Sequence, residues 1–270
     1  MNKNLASLPI RVLVTLTFVL MVLVNGLANA LPINGRQTGE VSDAYPNLFA
    51  PAGLTFAIWG LIYLLLALHV LYQWGLFHQT GRQHSALLGR VGLLFSLSSL
   101  ANTAWVFAWH YDLIGLSTLL IISILVLLIV LNRTLGAMEP TMAERLLVTV
   151  PFSIYFGWIT VATVANITVW LVSINWSGFG LAEPLWAVAI IAIAAAIGTL
   201  TMLKNRDVAY GVVLIWAFIG ILTKHTSATG FAGAYNAVIL TTSPSYSSGA
   251  SFASRQGLGR AGLLQYFTAR

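Results

Sequence analysis

The sequence predicts an all-α fold, a polytopic bundle of transmembrane helices. Two observations predict it. Of 270 residues, 58% are apolar and 7% are Asp, Glu, Lys or Arg, with a mean hydropathy of +0.86. An ordinary soluble domain carries about 25% charged residues, and a soluble chain of this size could not cover its surface with so few. Second, the apolar residues come in runs near the length of about 20 residues that crosses a hydrocarbon core. Together these exclude a cytosolic globular enzyme, a nucleic-acid-binding domain and a disordered chain.

The runs, in order, are Pro9–Ala30, Ala52–Trp74, Val91–Trp109, Leu113–Leu131, Leu146–Leu171, Pro184–Leu203 and Val208–Thr223. An eighth, Ser227–Thr242, is shorter and rich in Gly, Ala and Thr, residues that packed membrane helices tolerate. Each run is apolar on most faces, unlike the single stripe of a soluble helix. None shows the alternation of a barrel strand. Pro140, Pro151 and Pro184 fall near expected helix starts, where a missing N–H costs little. Ala28-Asn29-Ala30 could serve as a secretory cleavage site. The run before it extends to Leu31, however, and is read as a span.

Loop charge then predicts orientation. With the N-terminus in the cytoplasm, all of the 13 basic residues except Arg36 and Lys224 lie on the cytoplasmic side. This positive-inside pattern predicts eight spans with both termini cytoplasmic. The expected location is the cell (inner) membrane. It also makes the net charge of +6 a topology signal. Cysteine is absent, so no disulfide or thiolate chemistry is available. The tail from Pro244 is expected to be flexible and basic. Its end, Leu264 to Arg270, fits a loose cholesterol pattern that arises often by chance.

The sequence holds no Gly-rich phosphate loop and no hydrolase or metalloprotease motif. No Asp, Glu, Lys or Arg falls mid-span, which argues against an ion-coupled pump. The polar residues within the spans are neutral, among them Asn25, Asn102, Thr163 and Asn166, with His69 as the one imidazole in mid-span. Aromatic side chains recur beside them at helical spacing. Phe56, Trp59 and Tyr63 share one face, as do Asn102, Trp105 and Trp109. Tyr155, Trp158, Asn166 and Trp170 lie on or near one stripe. Such stripes are either packed core or the lining of an apolar pocket with a few polar fixtures.

These stripes resemble the TspO/MBR family, the tryptophan-rich sensory proteins related to the mitochondrial translocator protein. The segment Pro51 to Tyr63 is similar to the family's P-x-G-W-x-F-x-x-x-W-x-x-L-Y. Leu100 to Trp105 is similar to L-x-N-x-x-W. Trp158 to Asn166, followed by Trp170, is similar to W-x-x-x-A-T-x-x-N-x-x-x-W. The resemblance implies a five-helix domain over residues 1–175, with about three additional helices over 176–243 and a tail over 244–270. It implies a membrane sensor or carrier that binds porphyrin, haem or sterol-like flat ligands beneath the Leu31–Ala50 loop. The ligand-binding candidates are Phe56, Trp59, Tyr63, Asn102, Trp105, Trp158, Asn166 and Trp170. No metal site and no cofactor is expected, the tetrapyrrole entering as ligand. Leu54 stands where the family commonly has Trp, and the step from Phe56 to Trp59 is one residue short. The porphyrin breakdown attributed to that Trp is therefore left open, and the expectation is a non-enzymatic protein. The expected partners are the lipid bilayer and the small molecule, with a homodimer left open. A facilitative transporter that uses the extra helices is the alternative.

Overall fold

A computed structural model describes residues 5–76 and 85–243. Within them the protein is a polytopic helical membrane protein without strands, and seven helices are long and apolar enough to cross a membrane. They are α1 (Leu8–Ala30), α2 (Gly53–Gln73), α3 (Ser85–His110), α4 (Ile114–Leu135), α5 (Met142–Ser173), α6 (Glu183–Asn205) and α7 (Val208–Thr226). The expected flexible tail and its cholesterol-like pattern lie outside the described residues, as do Lys3, His78, Arg82 and His84.

Local chemistry fixes the helix starts. Pro9 and Pro184 sit in the first turns of α1 and α6, where no intrahelical N–H bond is lost. Asp207 caps α7, its carboxylate accepting from the Tyr210 amide at 3.0 Å. Thr141 and Glu144 form a reciprocal capping box at the start of α5, an arrangement that satisfies two amide donors lacking intrahelical partners.

The eighth expected span does not form as one helix. After Thr226 the backbone leaves α7 and turns through Ser227–Gly233, and helix resumes only over 236–243. The amides of Phe231 and Gly233 return to the carbonyls of Lys224 and His225 at 2.9 and 2.8 Å, so this stretch caps α7 instead of extending it. Ala232 and Gly233 adopt positive φ. A bilayer crossing needs about 30 Å, and the resumed helix supplies about 12 Å among the described residues.

The chain divides into two compact units. The first holds residues up to Val41 and Trp59–Phe156; the second holds Ser42–Ile58 and Gly157 onward. In the first, α3 packs against both α1 and α4. At Gly92 an added Cβ would lie 2.8 Å from Ile10 and 3.0 Å from Val14, so the glycine is what lets α1 approach. In the second, Gly198 packs against Leu214 and Gly211 against Met202, and α6 meets α7 through these small residues.

Candidate functional site

Three of the eight sequence candidates meet through Tyr155 in the first unit. Trp59 stacks on Tyr63 with ring centroids 5.5 Å apart and planes at 19°. Its other neighbour is Tyr155, at 6.1 Å. The Tyr155 hydroxyl accepts from Asn102 Nδ2 at 3.4 Å. Asn102 Oδ1 in turn accepts from Asn25 Nδ2 at 2.8 Å, and Asn25 Nδ2 also donates to the Met21 carbonyl at 2.9 Å. An amide chain thus runs from α1 through α3 to α5 and ends beside an indole. Asn102 and Tyr155 are fully buried. The Tyr63 hydroxyl is buried and has no hydrogen-bond partner among the described residues. Apolar ring faces with a few convergent polar groups are what a flat, mostly apolar ligand requires.

A second buried polar cluster lies further along α2. His69 Nδ1 is 3.1 Å from the Leu147 carbonyl, and its Nε2 is 3.0 Å from Gln73 Nε2. A carbonyl only accepts, so Nδ1 carries the proton and Nε2 accepts from the Gln73 amide. The reason for this bond lies in α5. Pro151 has no N–H to give to the carbonyl four residues earlier, which is that of Leu147. The preceding turn, Arg145–Thr149, is a π-helical turn. His69 supplies the donor that the proline lacks, and Phe152 and Phe95 pack edge-on against the imidazole at 4.7 and 5.9 Å.

The remaining candidate in the first unit, Trp105, is buried and stacks on Trp109 at 5.7 Å. Trp109 Nε1 donates to the Thr38 carbonyl at 3.1 Å. This ties the first half of the α1–α2 loop to the end of α3. The Asn34 side chain donates to the His110 carbonyl at 2.9 Å, and Arg36 pairs with Asp112.

In the second unit, Phe56 packs edge-on against Trp158 at 6.0 Å and 85°. The residues Gly53–Ala57 form a 3₁₀ turn rather than an α-helical one. A 3₁₀ turn has about three residues per turn, so Phe56 does not continue the stacked pair of Trp59 and Tyr63. Further along α5, Asn166 is buried and Trp170 is 39% exposed. The second half of the α1–α2 loop is held within this unit. His225 Nε2 donates to the Leu48 carbonyl at 2.9 Å, Trp216 Nε1 to the Thr55 carbonyl at 2.9 Å, and Lys224 pairs with Asp43 at 3.0 Å.

The site list drawn from the sequence omitted Tyr155 and Asn25, although both had been noted as polar or aromatic positions within spans. The signal available was their registry with Asn102 and Trp59, but sequence spacing cannot show which helices face each other. Among the described residues no group of three or more His, Cys, Asp or Glu could hold a metal ion.

No curated protein and no solved structure matches the chain. The family model of the TSPO-like protein matches residues 11–244. That match includes α6 and α7 as well as the first five spans, and it extends over most of the 270 residues. An all-helical polytopic chain matches that model from its first span through the last of the seven described spans: the chain belongs to the TSPO-like protein family.

Proposed function

We propose that the protein is a membrane ligand-binding sensor or carrier that takes tetrapyrroles or sterol-like flat molecules into a site built on Trp59, Tyr63, Asn102 and Tyr155. The family suggests the general role of membrane ligand binding or sensing. The observation that supports this reading most is the meeting of Trp59 with two tyrosines and the end of a buried amide chain. A flat ligand gains area and dispersion against the indole face. The polar groups give it orientation.

Titration of the protein in nanodiscs with protoporphyrin IX, read by porphyrin absorbance, tests the reading. Trp59→Ala is expected to weaken binding at least tenfold. A flux assay in liposomes run in parallel addresses the transporter alternative. Saturable binding without flux supports a sensor or carrier, and saturable flux that depends on α6 and α7 favours transport.

The N-terminus is placed in the cytoplasm on loop charge. The two basic residues that this orientation leaves outside, Arg36 and Lys224, are each paired with an aspartate. Pairing reduces their weight as retention signals. A cytoplasmic C-terminus requires one more crossing beyond Thr226. Reporter fusions after Gly136 and Lys204 should report inside, and fusions near Glu40 and Glu183 outside.

A further inference from the structure

We infer that the Tyr63 and Tyr155 hydroxyls are a paired hydrogen-bond donor for an uncharged acceptor, a carbonyl or ester oxygen on the edge of a flat apolar ligand. The inference rests on the ligand-binding reading above and names the chemistry of the ligand at that site.

The direction of the amide chain carries the first step. The Met21 carbonyl only accepts, so the Asn25 atom beside it is the nitrogen. That nitrogen has a second proton, which goes to Asn102 Oδ1. The oxygen of Asn102 is thereby engaged, and its nitrogen donates onward to the Tyr155 oxygen. The Tyr155 hydroxyl thus accepts from the chain, and its own proton has no acceptor among the described residues. A hydroxyl that accepts a bond is polarised into a better donor.

Tyr63 supplies the second donor. Its hydroxyl is buried and has no partner among the described residues. Both tyrosine rings pack on the same indole, that of Trp59. Two hydroxyl protons without acceptors therefore flank one stacking surface. Buried polar groups are almost always hydrogen-bonded in folded proteins, and a shared acceptor would satisfy both.

Charge selects the class of acceptor. The basic residues on the helices that bring these groups together are Arg11, Arg90 and Arg145. They lie about 15–20 Å along their helices from Asn25, Asn102 and Tyr155 respectively. His69, two turns beyond Tyr63 on α2, has both ring nitrogens engaged. An ionised carboxylate at the two hydroxyls would be an unpaired charge in a low-dielectric interior, which is costly. A neutral carbonyl oxygen, with two lone pairs, fits both donors without that penalty.

Three porphyrins of similar outline separate the possibilities, each titrated into full-length protein in nanodiscs against empty nanodiscs. Protoporphyrin IX dimethyl ester has neutral carbonyl acceptors, etioporphyrin has no oxygen, and protoporphyrin IX has ionised carboxylates. The ester is expected to bind more tightly than etioporphyrin by about twofold to tenfold per hydroxyl engaged. Tyr63→Phe should remove one such factor for the ester, leave etioporphyrin affinity unchanged, and leave the melting temperature equal or higher. A merely structural tyrosine would not show that combination. Tyr155→Phe should act likewise on the ester while lowering the melting temperature, because Asn102 loses its acceptor. Equal affinity of wild type for ester and etioporphyrin overturns the inference and leaves the ligand-binding reading intact. So does tighter binding of the free diacid than of the ester, or a Tyr63→Phe change that weakens both neutral porphyrins equally. Failure of all three porphyrins to bind overturns the ligand-binding reading and this inference together.

Discussion

Two polar clusters are buried in the same unit, one around His69 and one around Asn102, and they are polar for different reasons. The His69 cluster answers a backbone defect. Pro151 cannot donate to the Leu147 carbonyl, and His69 donates in its place. The Asn102 cluster faces no such defect. Its amides engage one another and then end at a tyrosine hydroxyl beside Trp59. The imidazole that repairs the backbone contributes stability, and both of its ring nitrogens are engaged. A chain that ends in a hydroxyl without an acceptor among the described residues keeps a donor available. Burial and residue type alone, by which both clusters look alike, do not separate these roles; the destination of each hydrogen bond does.

The sharpest test of that contrast is His69→Leu. It removes the donor to the half-buried Leu147 carbonyl and the acceptor for the buried Gln73 amide. The expected loss is about 1–3 kcal/mol, read as a lower melting temperature in nanodiscs. Porphyrin affinity of the folded fraction should be unchanged. A variant that kept its stability and lost binding would move His69 into the ligand site and erase the distinction between the clusters.

How much of this was legible in the sequence follows from the same contrast. The seven spans were readable because run length and the scarcity of charge leave no other solution in a bilayer. Asn102 and Trp59 were readable as candidates because helical spacing places an amide or an indole on a shared stripe. Pro151 reads from the sequence as a residue near a helix start, whereas it lies inside α5. That His69 answers it depends on α2 and α5 coming together, and a one-dimensional pattern does not contain that information. The run Ser227–Thr242 was misread for a local reason. Its composition suits a packed membrane helix, but its Gly-rich first half supplies the amides that cap α7. The direction of the chain from Asn25 to Tyr155 was not legible at all, since direction depends on a backbone carbonyl, that of Met21, in contact with one end.

A smaller effect should come from Pro151→Ala, in combination with His69→Leu. Alanine restores an N–H that can return to Leu147, so the carbonyl no longer depends on the imidazole. The cost of His69→Leu should therefore fall by about 1 kcal/mol in the Pro151→Ala background. A double-mutant cycle on melting in nanodiscs reads this coupling directly. Additive effects would mean that the carbonyl does not depend on His69, and the backbone-repair account would fail. The same cycle run with Asn102→Leu in place of His69→Leu should show no coupling to Pro151, because the Asn102 chain touches no part of the π-helical turn.

The smallest effects belong to the ion pairs at the ends of the spans. The side chains of Arg36 and Asp112 are 31% and 40% exposed, and those of Lys224 and Asp43 are 24% and 59% exposed. Solvent and salt screen such pairs, so each is worth about 0.2–1 kcal/mol. Arg36→Ala and Lys224→Ala should each lower stability by that amount at low salt, and the difference should shrink toward zero near 1 M salt, where the Debye length falls to about 3 Å. The two variants act on different units, since Arg36 ties the first half of the α1–α2 loop to Asp112 and Lys224 ties the second half to Asp43. Their effects should therefore add. Salt should not change the cost of His69→Leu in the same way, because the groups it leaves without partners, a carbonyl and an amide, are uncharged. If Lys224→Ala costs as much as His69→Leu and resists salt, the loop contact at Asp43 belongs with the buried polar clusters and not with the solvated ends of the helices.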